Sequence, residues 1–328
     1  MRHQPEKLIR VFLTALALAA ASFAPAHAQS AFDFATAAEG RAIVSVRDDY
    51  VRNTTPLERQ ALLRTAEPVS EERLVAAMAE QVLEWTDADR QRLQPLLARL
   101  DTFLKGIKPL EPRRILLIKT TPDFLNGSPH TRANAIILPI GSEMLRVSPS
   151  MTLYVLAHEL FHVVSRANPT LRERLYASFG FRRCASVSIP PPVADLRLTN
   201  PDAPQSLHTI SVVYGGRWID ALPYVSFVSP QVDPREGFLT QIAPAWLIAE
   251  RDERDACVVT ILAGLEPDKV GGLFQQIGRN TDYLFGPEEI LADNFALLAF
   301  GLVAPDLPGL PLQIRSPEVI EQLRLDLQ

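Results

Sequence analysis

The sequence predicts an α+β fold in which helices pack around a small mixed sheet. The 328 residues are 47% hydrophobic and 22% charged, a composition typical of a globular protein with a sizeable core. Segments with helix caps occupy the first hundred residues, and two short runs of strand-like composition follow them. A long helical run without Gly or Pro comes next. We therefore expect a central helix between the sheet and a mainly helical C-terminal lobe.

The first 28 residues differ from the rest and have the pattern of a secretory signal peptide. Arg2, Lys7 and Arg10 precede an apolar run of about 14 residues, and an Ala-His-Ala sequence suited to cleavage follows at 26–28. A membrane anchor is the alternative, but a helix that spans a bilayer needs roughly 20 apolar residues. We expect cleavage before Gln29 and a periplasmic or secreted protein.

The charge of the mature chain argues against nucleic acid as a partner. The leader holds three of the 33 basic residues and one of the 38 acidic ones, which leaves 30 against 37 and a net charge of −7. Proteins that bind nucleic acid or anionic lipid usually carry a basic surface instead. No later apolar stretch is long enough to cross a membrane, so no membrane span is expected after cleavage.

Residues 29–111 are predicted to form a helical N-terminal region. Thr55, Ser70 and Thr86 are each followed by acidic residues, the arrangement typical of a helix start. The last of these helices is expected to kink at Pro95 and to end at Gly106. The apolar residues of this region are spaced for packing on one side.

Residues 112–328 are predicted to form a second domain that begins with two short strands. Arg114–Lys119 and Ala133–Leu138 have strand-like composition, and a turn region rich in Pro, Asn and Gly separates them. The helix that follows is predicted over Met151–Arg166, with hydroxyl caps and a proline just before it at 148–150.

An irregular insertion that contains a hairpin is predicted from about residue 187 to 236. Prolines are frequent there, and Gly215-Gly216 separates two strand-like runs, Thr209–Tyr214 and Arg217–Phe227. The stretch Phe238–Leu265 is expected to be helical in its later part.

The two cysteines, Cys184 and Cys257, are predicted to form a disulfide bond because an exported chain folds in an oxidising compartment. Closing a loop of about 74 residues would contribute roughly 4 kcal/mol in the chain-entropy model. Two buried free thiols are the alternative.

The most informative pattern lies within the predicted helix, where His158 and His162 are one turn apart. Residues four apart lie above one another on a helix, so Tyr154 and Ser165 share a stripe with the two histidines. Two imidazoles at this spacing can bind one Zn²⁺, and Glu159 then lies beside the ion as a base for a water molecule. An amphipathic helix with histidines on a wet face is the alternative, although only four histidines remain after the leader.

A third zinc ligand is predicted on a second helix. Catalytic zinc usually has three protein ligands and one open position. After His162, Glu289 is the one Glu with an acid four residues later, Asp293, and Gly286-Pro287 suits the start of a helix. We expect Glu289 to bind the ion and Asp293 to hold a ligating histidine by a hydrogen bond. The alternatives for the third ligand are Glu288, Glu250, Glu253 and His208.

The HExxH sequence at 158–162 and the ExxxD sequence at 289–293 resemble the paired motifs of the gluzincins, the thermolysin-like zinc metallopeptidases. The resemblance covers these two segments and the order of sheet, active helix and helical lobe. It implies a zincin-like domain, a zinc ion held by His158, His162 and Glu289, and Glu159 as general base. It also implies that an extended peptide lies along a sheet edge, for which Ala133–Leu138 is a candidate; an ordinary core strand is the alternative.

The sequence therefore predicts an exported zinc metallopeptidase that acts on protein or peptide substrates. A tetrahedral oxyanion needs a donor beyond the metal, and the candidates are His208, Tyr214, Arg217 and Tyr283. A zinc amidase acting on cell-wall peptide is one alternative, which a wide and shallow cleft would favour. A catalytically inert, zinc-stabilised binding or scaffold protein is another, which four protein ligands or a site sealed by Ile189–Pro204 would favour.

Overall fold

A computed structural model describes residues 30–107, 114–146, 148–191, 193–205, 207–261, 264–309 and 313–328. Of these residues, 45% are helical and 21% are in strands, in agreement with the predicted mixture of helices and a sheet. The predicted signal peptide, residues 1–28, and the predicted domain boundary near residue 111 lie outside the described residues. Within them, no helix combines the length and the apolar character needed to cross a membrane.

Several helices begin where the sequence supplies a cap. Thr55, Ser70 and Thr86 each accept a hydrogen bond from a backbone N–H of the first turn through the side-chain oxygen. The helices are α1 Ala37–Val44, α2 Asp49–Asn53, α3 Pro56–Leu62, α4 Glu71–Glu80, α5 Asp87–Gly106, α6 Glu143–Arg146, α7 Pro149–Ala167, α8 Pro169–Ser178, α9 Leu273–Ile277, α10 Pro287–Val303 and α11 Pro317–Asp326. The predicted end at Gly106 and the predicted central helix are confirmed by α5 and α7.

The strands form two sheets, one on each side of α7 in the sequence. The strands are β1 Phe32–Phe34, β2 Val82–Leu83, β3 Ile115–Thr120, β4 His130–Arg132, β5 Ala135–Pro139, β6 Phe181–Arg183, β7 Ser186–Ser188, β8 His208–Tyr214, β9 Arg217–Phe227, β10 Ile242–Arg251 and β11 Ala256–Ile261. The two strands predicted ahead of the central helix correspond to β3 and β5.

The first sheet is mixed and lies between two groups of helices. β1, β3 and β5 are parallel, while β2 and β4 run antiparallel to their neighbours β3 and β5. Leu117 belongs to the core formed with α5 and α7, whereas Leu116 and Ile118 belong to the core formed with α1 and α4. Burial on both faces explains the continuous apolar run of β3. Because β1 and β2 come from the predicted helical region 29–111, that region shares this sheet.

The strand predicted as a candidate substrate edge is an inner strand. β5 pairs with β3 on one side and with β4 on the other, and all of its residues are buried. Among the described strands, β4 forms the edge at this end of the sheet. The edge assignment of Ala133–Leu138 is therefore wrong, and the core-strand alternative is correct.

The second sheet replaces much of the helical lobe that the sequence predicted. Its strand order is β6-β8-β9-β10-β11-β7, and neighbours are antiparallel except for β11 with β7. The expected helix in the later part of Phe238–Leu265 is wrong, because the backbone of β10 pairs with β9 and β11 instead. The hairpin around Gly215-Gly216 joins β8 to β9 and is a regular part of this sheet, not of an irregular insertion at 187–236.

A disulfide bond between Cys184 and Cys257 connects distant parts of the second sheet. Cys184 follows β6 at one end of the sheet, and Cys257 lies in β11 near the other end. Arg251 of β10 donates hydrogen bonds to the backbone carbonyls of Arg182 and Arg183 in β6. The sheet therefore curls until its first strand meets the turn between β10 and β11.

The helices α7 and α10 pack against each other in the larger hydrophobic core. Leu153, Leu156 and Leu160 of α7 are fully buried there. α10 is buried without interruption from Glu288 to Phe300. The acidic start of α10 is thereby held against the histidines of α7.

Candidate metal centre

Local sequence fixes where α7 begins and which face carries the histidines. The side-chain oxygen of Ser148 accepts a hydrogen bond from the backbone N–H of Met151, and Pro149 occupies the first turn, where its missing N–H costs nothing. From this start, His158 and His162 lie one turn apart with ring centroids separated by 4.8 Å. Their spacing brings both imidazoles to the same side of the helix.

A glycine and a proline set the start of α10. Gly286 has a φ of 146°, in the region that favours glycine, and Pro287 begins the helix. Glu288 and Glu289 then lie in the first turn, where backbone N–H groups and the helix dipole favour negative charge. Both carboxylates point at histidines of α7.

The structure brings His158, His162 and Glu289 together as three possible ligands of a metal ion. One potential ligand atom from each lies within 4.8 Å of the other two. Oε2 of Glu289 is 3.1 Å from Nε2 of His158 and 3.7 Å from Nε2 of His162. The side chains of His162 and Glu289 are 1% and 3% exposed, whereas His158 retains 12%. The cluster is therefore buried, and His158 is its most exposed member.

The other nitrogen of each histidine is held by a carboxylate. Nδ1 of His158 donates to Asp293 at 2.8 Å, and Nδ1 of His162 donates to Glu288 at 2.9 Å. A carboxylate bonded to Nδ1 leaves Nε2 as the ligand atom and fixes the orientation of the ring. Asp293 lies where it was predicted, while Glu288, proposed from sequence as an alternative ligand, holds His162 instead.

These carboxylates are themselves anchored by hydroxyl groups. Asp293 accepts hydrogen bonds from Tyr154 at 2.5 Å and from Thr281. Glu288 accepts hydrogen bonds from Ser165 at 2.5 Å and from Tyr176 of α8. The histidine rings are therefore oriented by a network that extends across three helices.

Two buried polar atoms in the cluster have no hydrogen-bond partner among the described residues. They are Nε2 of His162 and Oε2 of Glu159. A buried polar atom without a partner costs roughly 1–3 kcal/mol, so such atoms require an explanation. A cation between His162, His158 and Glu289 would supply the missing partner for the imidazole, and the donor set of two imidazoles and one carboxylate fits a metal ion.

The charges around the histidines also favour a cation. Burial lowers the pKa of His162, but the negative charges of Asp202 and Glu289 outweigh it and raise this pKa to about 9. Burial likewise lowers the pKa of His158, and hydrogen bonds to Asp293 and Glu289 raise it well above the ordinary value. Positive charge is thus stabilised at this position whether a proton or a metal ion carries it.

Glu159 lies next to the metal cluster without joining its donor set. Its residue is 4% exposed, and one of its oxygens lies within 4.8 Å of potential ligand atoms of His162 and Asp202. Burial raises the pKa of Glu159 to about 8, and the negative charge of Asp202 acts in the same direction. A carboxyl group that titrates near neutral pH can both accept and donate a proton in a reaction.

Two residues at the site were missed by the sequence reasoning. Asn200 donates to Oε1 of Glu289 at 2.5 Å, and Asp202 approaches Glu159 and His162. They belong to an irregular segment between two sheet strands. The sequence there shows only an Asn-Pro turn signal, which predicts a loop and carries no information about the distant helix that the loop contacts.

The predicted oxyanion donors lie at different distances from the cluster. The ring of Tyr283 is 6.2 Å from that of His158. His208 contacts the cluster only through other residues. Its ring is hydrogen-bonded to Glu173 at 2.9 Å and packs against Tyr176, which donates to Glu288. Tyr214 and Arg217 pair at the tip of the β8–β9 hairpin, and Tyr214 is 47% exposed.

The remaining alternatives for the third ligand lie in the second sheet. Glu250 belongs to β10 and pairs with Val258 of β11, and Glu253 lies in the turn between those strands. Neither occurs in a metal-type cluster of the described residues. Of the acids considered, Glu289 is the one whose carboxylate faces both histidines.

No family model, curated protein or solved structure matches this chain. We therefore infer function from the side chains of the site.

Proposed function

We propose that the protein is an exported zinc-dependent metallopeptidase with a zincin-like, gluzincin-type catalytic domain. One observation carries the proposal: Nε2 of His158 and Nε2 of His162 face the carboxylate of Glu289, while a carboxylate orients each ring through Nδ1. Directly beside this donor set lies Glu159, whose Oε2 is buried and unpartnered among the described residues.

Zinc is the ion that the donor set favours. Two imidazoles and one carboxylate form a typical catalytic zinc set, and three protein ligands leave a position open. Bound zinc would supply Lewis acidity, which polarises a carbonyl group and makes water more acidic. Asp293 and Glu288 would keep the imidazoles neutral at Nε2 and aimed at the ion.

Glu159 would act as the general base and then as the general acid. It would accept a proton from the attacking water and deliver that proton to the nitrogen of the leaving amine. Tyr283 is the favoured donor to the oxyanion, because its ring lies beside His158 at the exposed side of the cluster. The bond of His208 to Glu173 favours a structural role for that residue.

Export is proposed from residues 1–28, and the disulfide between Cys184 and Cys257 supports an oxidising compartment. A protein or peptide substrate in extended form would lie along the edge strand β4, which borders the site through Thr131 and Asp202. This edge supports a peptidase over a cell-wall amidase, for which a wide and shallow cleft would be expected.

Elemental analysis of the purified mature chain combined with a fluorogenic peptide library tests the proposal. We expect about one zinc ion per chain, hydrolysis of peptides, loss of hydrolysis with a chelator and recovery when zinc is returned. Metal-free protein that cannot be loaded would contradict the metal centre. Loaded protein that cleaves no peptide would contradict the peptidase.

A specific observation favours a second candidate, a zinc-stabilised binding or scaffold protein without catalysis. Asn200 and Asp202 enter the site from an irregular segment, as a sealed and structural metal site would require. Under this hypothesis, zinc binding raises the thermal stability of the chain, and no variant of the segment hydrolyses peptides.

A further inference from the structure

We propose that Asp202 is a fourth, displaceable protein ligand of the metal ion, and that the segment Thr199–Gln205 closes the site until it is moved. We call this segment the strap. The inference rests on the proposed function, since closure matters only if the site is catalytic. Asp202 would be a ligand, and the strap an inhibitory segment, outside the two helical motifs at 158–162 and 289–293.

His162 belongs to two overlapping clusters of potential metal ligands. One consists of His158, His162 and Glu289, and the other of Glu159, His162 and Asp202. Because Nδ1 of His162 is bonded to Glu288, Nε2 is the nitrogen left for a metal in either cluster. No cluster of the described residues contains both Glu289 and Asp202, so Asp202 would join an ion held at Nε2 after a shift of its side chain toward the first cluster.

The strap holds the second carboxylate oxygen of Glu289, the predicted third ligand. Nδ2 of Asn200 donates to Oε1 of Glu289 at 2.5 Å, while Oε2 of the same carboxylate faces the histidines. The backbone N–H of Asp202 in turn donates to Oδ1 of Asn200 at 2.8 Å. Asn200 and Asp202 thus enter the site as one folded turn.

The strap also occupies the sheet edge where a substrate would bind. Thr131 of β4 donates to Oδ1 of Asp202 through its backbone N–H at 2.8 Å and through its hydroxyl at 2.5 Å. β4 pairs with β5 on its other side, so this N–H belongs to the outer edge. An extended peptide that adds to this edge needs the same donor. The strap and such a peptide therefore compete.

The strap is fixed at both ends and held by side chains in between. Leu198 donates to the carbonyl of Val225 at 2.9 Å before the strap, and Cys184 donates to the carbonyl of Leu207 at 2.7 Å after it. Over 199–205, the described residues make no backbone–backbone hydrogen bond.

Movement of the strap would therefore break side-chain hydrogen bonds and no backbone pairing. The bonds to break are those of Asn200 to Glu289 and of Asp202 to Thr131 and Arg166. Thr199 would stay bonded to Glu58.

A cavity beside the strap provides room for this movement. It has a volume of about 560 Å³, and Asn200, Asp202 and the prolines 201 and 204 form part of its wall. Arg166 lines it as well and donates to the backbone carbonyl of Asp202 at 3.3 Å. Swinging the strap into the cavity would uncover both the metal position and the edge of β4.

Metal binding by the mature chain tests the ligand assignment without any activity measurement. The variant Asp202→Asn keeps an oxygen for Thr131 but loses the charged ligand, and Asp195→Asn is its control at an exposed position of the same connection. We expect Asp202→Asn to weaken zinc binding about 10- to 100-fold in chelator competition and to change the visible absorption of the cobalt-loaded protein. Unchanged affinity and an unchanged spectrum would overturn the assignment.

Peptide hydrolysis tests closure separately. If the open form is a minor population of about 10% or less, the double variant Asn200→Ala/Asp202→Ala should raise kcat/KM for fluorogenic peptides about tenfold or more. Circular dichroism and the thermal midpoint check that the variant folds; if it does not, Asn200→Ala alone should give a smaller increase. A rate equal to that of the unaltered chain would overturn closure. No hydrolysis by either protein would refute the peptidase, while the cobalt spectrum still decides the role of Asp202.

Discussion

His162 and His130 are buried to the same extent, each with 1% of the residue exposed, yet their surroundings favour opposite charges. His130 stacks on Phe124 with ring centroids 5.5 Å apart, and burial lowers its pKa to about 4. His162 lies among carboxylates that overcome burial and raise its pKa to about 9. Burial alone excludes a cation, whereas burial among carboxylates attracts one.

An unpartnered ring nitrogen is therefore not sufficient evidence of a metal ligand. Nε2 of His130 and Nε2 of His162 both lack a hydrogen-bond partner among the described residues. Of these two histidines, only His162 belongs to a cluster of potential metal ligands among the described residues. The neighbours of the nitrogen, and not its isolation, distinguish the two pockets.

Replacing each histidine by alanine gives the largest contrast between the pockets. His162→Ala should weaken zinc binding by more than about 100-fold, beyond the loss typical of a supporting residue, and should abolish peptide hydrolysis. His130→Ala should keep its zinc, because it leaves the ligand set intact. Metal content after dialysis and chelator competition provide the measurement. Full zinc retention by His162→Ala would remove the distinction between the pockets.

The substitution Glu159→Gln separates chemistry from metal binding within the His162 pocket. The rate of hydrolysis should fall by about 10²–10⁴-fold, because an amide cannot accept the proton of water, while the zinc content stays unchanged. Glu143→Gln on α6 is a suitable control, since its side chain is exposed. Activity and metal content are measured on the same preparations. Undiminished turnover would falsify the assignment of Glu159 as the base.

The pH dependence of stability should run in opposite directions for the two histidines in metal-free protein. The pKa of His162 is raised from the ordinary value of 6.5 to about 9. Its contribution to folding stability is therefore fully present below pH 6.5 and is lost as the pH rises to 9. This loss amounts to about 3 kcal/mol. The pKa of His130 is lowered to about 4, so its contribution is full above pH 6.5 and lost as the pH falls to 4.

Denaturant unfolding of the metal-free chain across pH 4–9 measures both effects. In His130→Leu, the free energy of unfolding should fall less at low pH, because the contribution of His130 is absent. In His162→Leu, it should fall less at high pH, because the contribution of His162 is absent. Glu58 and Glu159 cause a further loss of stability as the pH rises from about 4.5 to 8, because burial raises the pKa of each from 4.5 to about 8. A His162→Leu variant with the pH profile of the unaltered chain would show that carboxylates do not set its charge.

A smaller effect is expected from the residue that holds His162 in place. Glu288→Gln removes the charge next to Nδ1 but keeps an oxygen that can accept its hydrogen bond. Zinc affinity should fall about 10- to 100-fold, the range typical of groups that orient a ligand. Chelator competition measures the change. Unaltered affinity would mean that packing alone orients the imidazole.

The central helix and its ligands could be predicted because their signals are local. Ser148 caps α7, no Gly or Pro interrupts it, and the positions of His158 and His162 follow from helical geometry. Glu289 was predicted from a proline at the helix start and an acid four residues later, a pattern that also lies within one element. Local patterns fix the face of a helix but not what packs on it.

The second sheet and the strap could not be predicted because their determinants are distant. Residues Ala245–Ala249 have a composition suited to either helix or strand, and pairing with β9 decides the outcome. Asp202 is hydrogen-bonded to Thr131, which is 71 residues away in the sequence, and Thr199 is hydrogen-bonded to Glu58, which is 141 residues away. No periodicity in the strap indicates these contacts. Sequence reasoning therefore considered sealing of the site by Ile189–Pro204 only as an alternative and did not identify Asn200 or Asp202.

At the start of α10, after Gly286, two adjacent acids have different roles: Glu289 is the potential metal ligand, and Glu288 orients His162. Successive side chains on a helix are rotated by about 100°, so Glu288 and Glu289 address different histidine nitrogens although they are neighbours. A rotation of α10 by about 100° about its axis would aim the wrong carboxylate at each imidazole. The assignment of ligand and orienting group to these two acids thus depends on how α10 is rotated where it packs against α7.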